Sequence, residues 1–168
     1  MFKSLYLILL FLINFNYSQN NPISWSTSVI DNGNNEYTLV TKGIIKKGWR
    51  LYAQSLPDGG ALPTEFVFSD KSLFSFYGNV VEPLPITKFD PIFNMDQSYF
   101  IDEITYYQDV TLKENYSNDI INQKLFYQVC DDRVCIFKDV SLEFNLKSNS
   151  FISLKSFDYN SVNSDLIK

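Results

Sequence analysis

Short runs of β-branched and aromatic residues, separated by turn residues, fill most of the chain after its first twenty positions. Such runs are typical of β-strands. In residues 140–146 the apolar side chains of Val140, Leu142, Phe144 and Leu146 alternate with polar ones and form one apolar face. The pattern predicts strands over residues 23–30, 36–44, 49–54, 64–69, 74–82, 98–101, 104–112, 124–130 and 140–146.

No segment shows the 3.6-residue period of an amphipathic helix, so the spacing of the strands predicts an all-β protein, a β-sandwich. Residues 31–34 (DNGN) form a strong turn sequence between the first two strands. Residues 55–63 are predicted to be a loop. Residues 81–91 contain three prolines, which favour an edge strand or a crossover because proline has no backbone donor.

The N-terminus has the layout of a secretory signal peptide. Lys3 is followed by nine apolar residues, Leu5 to Ile13, and then by a short polar stretch. A helix of nine residues rises about 14 Å, too little for a bilayer core of roughly 30 Å, which argues against the alternative of an uncleaved anchor. We therefore predict a signal peptide at residues 1–18, a periplasmic domain at 19–146 and a polar tail, mobile or loosely docked, at 147–168.

Charge and composition exclude several function classes. The net charge is −5, so no basic surface is expected to bind nucleic acid. The chain contains no histidine, which removes serine–histidine and cysteine–histidine catalysis and the commonest metal ligand. Adjacent Asp131 and Asp132 are too few ligands for calcium and are read as a solvated turn. We expect no metal and no cofactor.

The chain has two cysteines, Cys130 and Cys135, separated by four residues. This spacing lets the chain reverse and bring the sulfurs together, and an oxidising compartment favours a disulfide. A loop this short gives a structural disulfide only about 2 kcal/mol of stabilisation. Spacing alone leaves two alternatives open, a structural bond and an exchangeable one.

Three motifs follow one another along the chain: residues 45–52 (IKKGWRLY), 76–78 (FYG) and 126–130 (FYQVC), the last continuing to Cys135. In this order they resemble the N-terminal periplasmic domain of the thiol:disulfide interchange protein DsbD, over roughly residues 23–146. Residues 56–60 (LPDGG) and 89–91 (FDP) resemble the stand-alone version found in Bacteroidetes-type bacteria.

The resemblance implies an immunoglobulin-like β-sandwich with a redox-active disulfide. Cys130 and Cys135 match the exchanging cysteines, and Phe76, followed by Tyr77, matches the aromatic of a cap loop that shields the disulfide. Tyr52 matches an aromatic beside the site. The implied partners are thioredoxin-like oxidoreductases and, as electron source, a membrane electron transporter that is here a separate protein.

This sequence departs from the family after the second cysteine, where Ile136-Phe137-Lys138 stands in place of an aromatic or aliphatic residue and two prolines. The expected mechanism is attack by a partner thiolate on one sulfur, Cys135 by resemblance, followed by resolution through the other. Asp131 and Asp132 should oppose thiolate formation and Arg133 should favour it. The alternative function is a non-catalytic, secreted β-sandwich binding module with a structural disulfide.

Overall fold

The computed structural model describes residues 21–69, 71–113, 119–147 and, for the backbone, 152–154. The predicted signal peptide and most of the predicted tail lie outside these residues. Within these residues the regular elements are eleven strands: β1 Ile23–Gly33, β2 Glu36–Ile45, β3 Arg50–Tyr52, β4 Glu65–Phe68, β5 Phe74–Val81, β6 Ile86–Asp90, β7 Met95–Phe100, β8 Glu103–Leu112, β9 Ile120–Cys130, β10 Cys135–Asn145 and β11 Ile152–Leu154. Nothing in the described part of the chain forms a helix that could cross a membrane.

The strands form two antiparallel sheets, which confirms the prediction of an all-β sandwich. The first sheet has the order β11-β1-β2-β8-β5, and the second has the order β10-β9-β3-β7-β6, with β4 also paired to β9. The β1–β2 hairpin turns at Gly33, Asn34 and Asn35, whose φ angles are 80°, 52° and 62°. Glycine and asparagine tolerate this left-handed backbone better than other residues, so the turn lies close to its predicted position.

The main core lies between the sheets and is built by the inward-facing residues of both. Trp25 of β1 packs edge-on against Tyr127 of β9, with ring centroids 5.3 Å apart. Gly43 of β2 lies directly opposite Trp25, and a Cβ at that position would come within 2.6 Å of the indole ring. The buried tryptophan therefore requires glycine at position 43.

The strand prediction fails at the N-terminal half of β10, which begins at Cys135 and not near Val140. Asp139 breaks the expected alternation because it is buried, where an apolar residue is the usual occupant. Its carboxylate forms an ion pair with the Lys124 ammonium at 3.1 Å across the hairpin. The β9–β10 hairpin therefore extends as far as the cysteines.

Two further elements lie where the sequence indicated irregular structure. β6 is the edge strand of the second sheet and lies between Pro85 and Pro91, in agreement with the edge or crossover prediction. Within the predicted tail, β11 pairs with β1 through residues 152–154.

The two faces of the second sheet serve different purposes. Leu51 of β3 and Val129 of β9 face the main core. Side chains alternate along a strand, so Tyr52 and Cys130 face the other way, and they form a second, smaller apolar cluster with Ala61. The cysteine pair therefore belongs to a site on the face of the sheet that points away from the main core.

Candidate functional site

A disulfide bond joins Cys130, the last residue of β9, to Cys135, the first residue of β10. The two are direct partners in the antiparallel register, and their Cα atoms are 4.1 Å apart. Directly opposed residues that do not exchange backbone hydrogen bonds have their side chains closest together, which suits a cross-strand disulfide. The hairpin thus places the sulfurs together through backbone pairing.

The loop between the cysteines is organised by Asp131. Its carboxylate Oδ1 accepts hydrogen bonds from the backbone amides of Arg133 and Val134, both at 2.8 Å. Its own backbone amide donates to the carbonyl oxygen of Val134 at 3.0 Å. The two hydrogen bonds to the carboxylate lower the pKa of Asp131 below its ordinary value. The loop therefore has a defined conformation that is favoured by the ionised aspartate.

The two sulfurs differ in their access to solvent. Cys130 is completely buried at 0% exposure, whereas Cys135 is partly exposed and follows Val134, which is 47% exposed. The side-chain amide of Gln128 donates to Cys130 Sγ at 3.8 Å and accepts from the backbone amide of Leu62 at 2.6 Å. A partner approaching from solvent therefore meets Cys135 first, while Cys130 has a polar donor beside it.

Aromatic side chains enclose the buried side of the disulfide. The Tyr52 ring lies edge-on to Phe93, with centroids 5.6 Å apart, and to Tyr99, with centroids 6.4 Å apart. Phe93 and Tyr99, together with Leu56 and Cys135, pack against the cluster that Tyr52, Ala61 and Cys130 form. These groups exclude water from the inner side of the bond.

A buried carboxylate lies behind these rings. Asp90, 2% exposed, accepts a hydrogen bond from the Tyr52 hydroxyl at 2.7 Å and one from the backbone amide of Ile92 at 2.9 Å. Burial, and then the hydrogen bond to Asp90, raise the pKa of Tyr52 far above its ordinary value. Tyr52 is therefore a neutral hydrogen-bond donor beside the disulfide.

Arg50 connects this carboxylate to the cysteine loop. Its Nε is 3.8 Å from Asp90 Oδ2, and its Nη1 is 3.0 Å from Asp132 Oδ1. Its Nη2 donates to the Asp131 carbonyl oxygen at 3.2 Å. Burial alone would lower the pKa of Arg50, but the hydrogen bond to Asp132 and the charge of Asp90 raise it above the ordinary value. The guanidinium is thus a permanent cation at the site.

The structure brings together three of the five residues that the sequence singled out: Cys130, Cys135 and Tyr52. Phe76 and Tyr77 lie on β5 in the first sheet, where Phe76 pairs with Val110 and its ring is 4.5 Å from that of Phe68. Their role as a cap stays a prediction that rests on the resemblance. The aromatics packed at the disulfide cluster are Phe93 and Tyr99.

Sequence reasoning missed five residues of the site: Arg50, Asp90, Phe93, Tyr99 and Gln128. A partial signal existed for Arg50, since it is two residues from Tyr52 and strand alternation puts both on one face. Nothing local indicated that Asp90, between Phe89 and Pro91, would be a buried ion-pair partner. Among the described residues, no group of three or more potential metal-ligating side chains comes together.

Comparison with known proteins gives a family match over most of the chain. Residues 23–147 match the family model described as thiol:disulfide interchange protein DsbD, N-terminal. This range contains every residue of the site. Among curated proteins, no sequence matches the chain.

Two solved structures share the fold. The N-terminal periplasmic domain of ScsB from Proteus mirabilis superposes with a TM-score of 0.60 at 17% identity, over 78% of this chain and 49% of that one. The chain thus spans about half the length of that relative. The reduced N-terminal domain of DsbD from Neisseria meningitidis has a TM-score of 0.53 at 17% identity, over 80% of this chain and 91% of that one. These likenesses confirm the predicted immunoglobulin-like sandwich.

Proposed function

Because the chain belongs to the family of the N-terminal domain of the thiol:disulfide interchange protein DsbD, we propose that its Cys130–Cys135 bond is a reversible exchange site. In this proposal the domain relays electrons to or from thioredoxin-like oxidoreductases in the periplasm. A membrane electron transporter serves as the electron source. Phe76, Tyr77 and Tyr52 are retained as the residues that the family resemblance assigns to the cap and to the neighbourhood of the bond.

The unequal burial of the two sulfurs carries the proposal. Cys135 is partly exposed beside the exposed residue Val134, and Cys130 is wholly buried. An exchange site needs one sulfur that a partner can attack and another that stays with the protein to resolve the intermediate. A bond with only a structural role has no such requirement.

The chemical step follows from this asymmetry. A partner thiolate attacks Cys135 Sγ, the bond between the two protein sulfurs breaks, and its electron pair leaves on Cys130 Sγ as a thiolate. The Gln128 amide, 3.8 Å from that sulfur, is placed to donate a hydrogen bond to it. The partner's second thiolate then attacks the mixed disulfide and displaces Cys135. The protein has gained two electrons and two protons, and the partner leaves as a disulfide.

The reverse sequence transfers the electrons onward. The Cys135 thiolate attacks the disulfide of an acceptor and forms a mixed disulfide, which Cys130 resolves as the original bond closes. The Gln128 amide donates to Cys130 Sγ and favours a departing thiolate there, against the opposing charges of Asp131 and Asp132.

Exchange with reduced thioredoxin tests the proposal. We expect oxidised protein at micromolar concentration to be reduced within minutes, because Cys135 is accessible without unfolding. The gain of two alkylatable thiols, followed by mass, reports the reaction. A variant with both cysteines replaced by serine controls for labelling elsewhere.

Reduction that occurs only in denaturant would contradict the proposal. The bond would then be a structural one in a binding module, the alternative that the sequence left open. Circular dichroism before and after the reaction separates exchange in the folded protein from reduction of unfolded chains.

A further inference from the structure

Arg50 is placed to connect the loop between the cysteines to β3 of the second sheet. In the register of β3 and β9 it lies directly opposite Cys130, so both side chains project from the same face. From there the guanidinium reaches past the cysteine to the loop. It contacts the loop twice, at the Asp131 carbonyl oxygen at 3.2 Å and at Asp132 Oδ1 at 3.0 Å.

The guanidinium also contacts two residues of the sheet, Asp90 and Tyr99. Asp90 Oδ2, buried on β6, lies 3.8 Å from Arg50 Nε. The Tyr99 ring centroid lies 5.8 Å from the guanidinium carbon, within the range of a cation–π contact. The Arg50 side chain is only 19% exposed, whereas that of Asp132 is 88% exposed. The arginine is therefore a mostly buried group of the sheet that contacts an exposed loop.

This arrangement matters most after the bond is reduced. Without the covalent link, the separation of the sulfurs depends on the backbone pairing of β9 with β10 and on how firmly the loop that joins them stays in place. Within the described residues, the hydrogen bonds that restrain the loop are those of Asp131 and those from Arg50. The Asp131 bonds fix the loop internally, while the Arg50 bonds fix it relative to β3.

We propose that Arg50 is a positioning residue that sets the reduction potential of the Cys130–Cys135 bond by holding the loop after reduction. This role rests on the proposed function and names one residue that determines the reduction potential of the exchange site. With the loop held, the reduced sulfurs stay within bonding distance and re-form the bond readily. Loss of Arg50 lowers their effective concentration, favours the dithiol, and makes the bond easier to reduce.

The test is the equilibrium of the protein disulfide with dithiothreitol at pH 7, below the ordinary pKa of a thiol. Each turnover converts one protein disulfide and one dithiothreitol into a protein dithiol and the cyclic disulfide. For Arg50→Gln we expect the equilibrium constant for bond formation to fall about fivefold, an upward shift of about 20 mV in potential. Arg50→Lys should show most of the same upward shift in potential, because an ammonium cannot make both loop contacts in the same geometry.

Lys124→Gln is the matched control. It removes one positive charge from the β9–β10 hairpin, which carries the cysteines. Lys124 forms an ion pair with Asp139 at 3.1 Å and does not touch the loop. We expect its potential to equal that of the unaltered protein. An equal shift in Lys124→Gln, or an unchanged potential in Arg50→Lys and Arg50→Gln, would overturn the assignment of Arg50.

A double-mutant cycle with Asp132→Ala separates positioning from the effect of charge on the thiols. Removing Asp132 should raise the potential when Arg50 is present and have little effect in Arg50→Gln, because both changes break the ion pair between Arg50 and Asp132. Equal effects in the two backgrounds would overturn the proposal. Asp132 is exposed, so this variant should fold even where Arg50→Gln does not. If the unaltered protein does not exchange while folded, the proposed function itself fails.

Discussion

Replacing Cys130 with serine should give a protein that captures a thioredoxin-like partner as a stable mixed disulfide through Cys135. The partly exposed Cys135 can form the first bond, and the residue that would resolve it is absent. We expect at least about tenfold more mixed disulfide from Cys130→Ser than from Cys135→Ser, whose remaining thiol is buried. The partner is a thioredoxin that lacks its resolving cysteine and whose remaining cysteine is present as a mixed disulfide with an aromatic thiol. Attack by the Cys135 thiolate displaces that aromatic thiolate, and the product is measured on non-reducing gels.

The two single-cysteine variants control each other, since each has one thiol and the same composition otherwise. Both should retain the fold, because the core between the sheets does not depend on the bond. Equal trapping by both variants, or stronger trapping by Cys135→Ser, would contradict the order of attack. Absence of trapping by either would count against exchange altogether.

Removal of the buried carboxylate should have the largest effect on stability among substitutions at the site. In Asp90→Ala, the Tyr52 hydroxyl and the Ile92 amide lose their acceptor, and Arg50 loses its buried counter-charge. We expect the free energy of unfolding to fall by about 3 kcal/mol. Urea denaturation of the oxidised protein measures the change.

Asp132→Ala is the matched control, because both carboxylates contact Arg50. The Asp132 side chain is 88% exposed and that of Asp90 is 1% exposed. Loss of an exposed ion pair should cost about 1 kcal/mol or less. Similar losses for the two variants would show that burial does not set the contribution of Asp90. Asp90→Asn, which retains a hydrogen-bond acceptor, should fall between them.

Much of the architecture could be predicted because the alternation of apolar and polar side chains is a local sequence pattern. Along β9 and β10, Leu125, Tyr127, Val140 and Leu142 are all buried in the main core, and the period of two that identifies a strand is the same feature that buries them. The cysteine pair could also be found, since hairpin pairing makes Cys130 and Cys135 neighbours in sequence and in space.

The remainder of the site depends on contacts between distant segments. Asp90 is 38 positions from Tyr52 along the chain, and Arg50 is 82 positions from Asp132. Neither contact has a local pattern, because an isolated charged residue usually indicates a solvated surface. Phe93, on the turn between β6 and β7, packs at the bond although the sequence did not single it out. The assignment of Phe76 to a cap stays a prediction from the resemblance.

The reduction potential of the Cys130–Cys135 bond is the decisive measurement of whether this bond exchanges. The oxidised protein is equilibrated with graded glutathione or dithiothreitol buffers, and free thiols are trapped and counted by mass. We expect a value between about −200 and −270 mV, the range of proteins that exchange disulfides. A value well below about −300 mV, or reduction only after unfolding, would contradict the account and identify a structural bond.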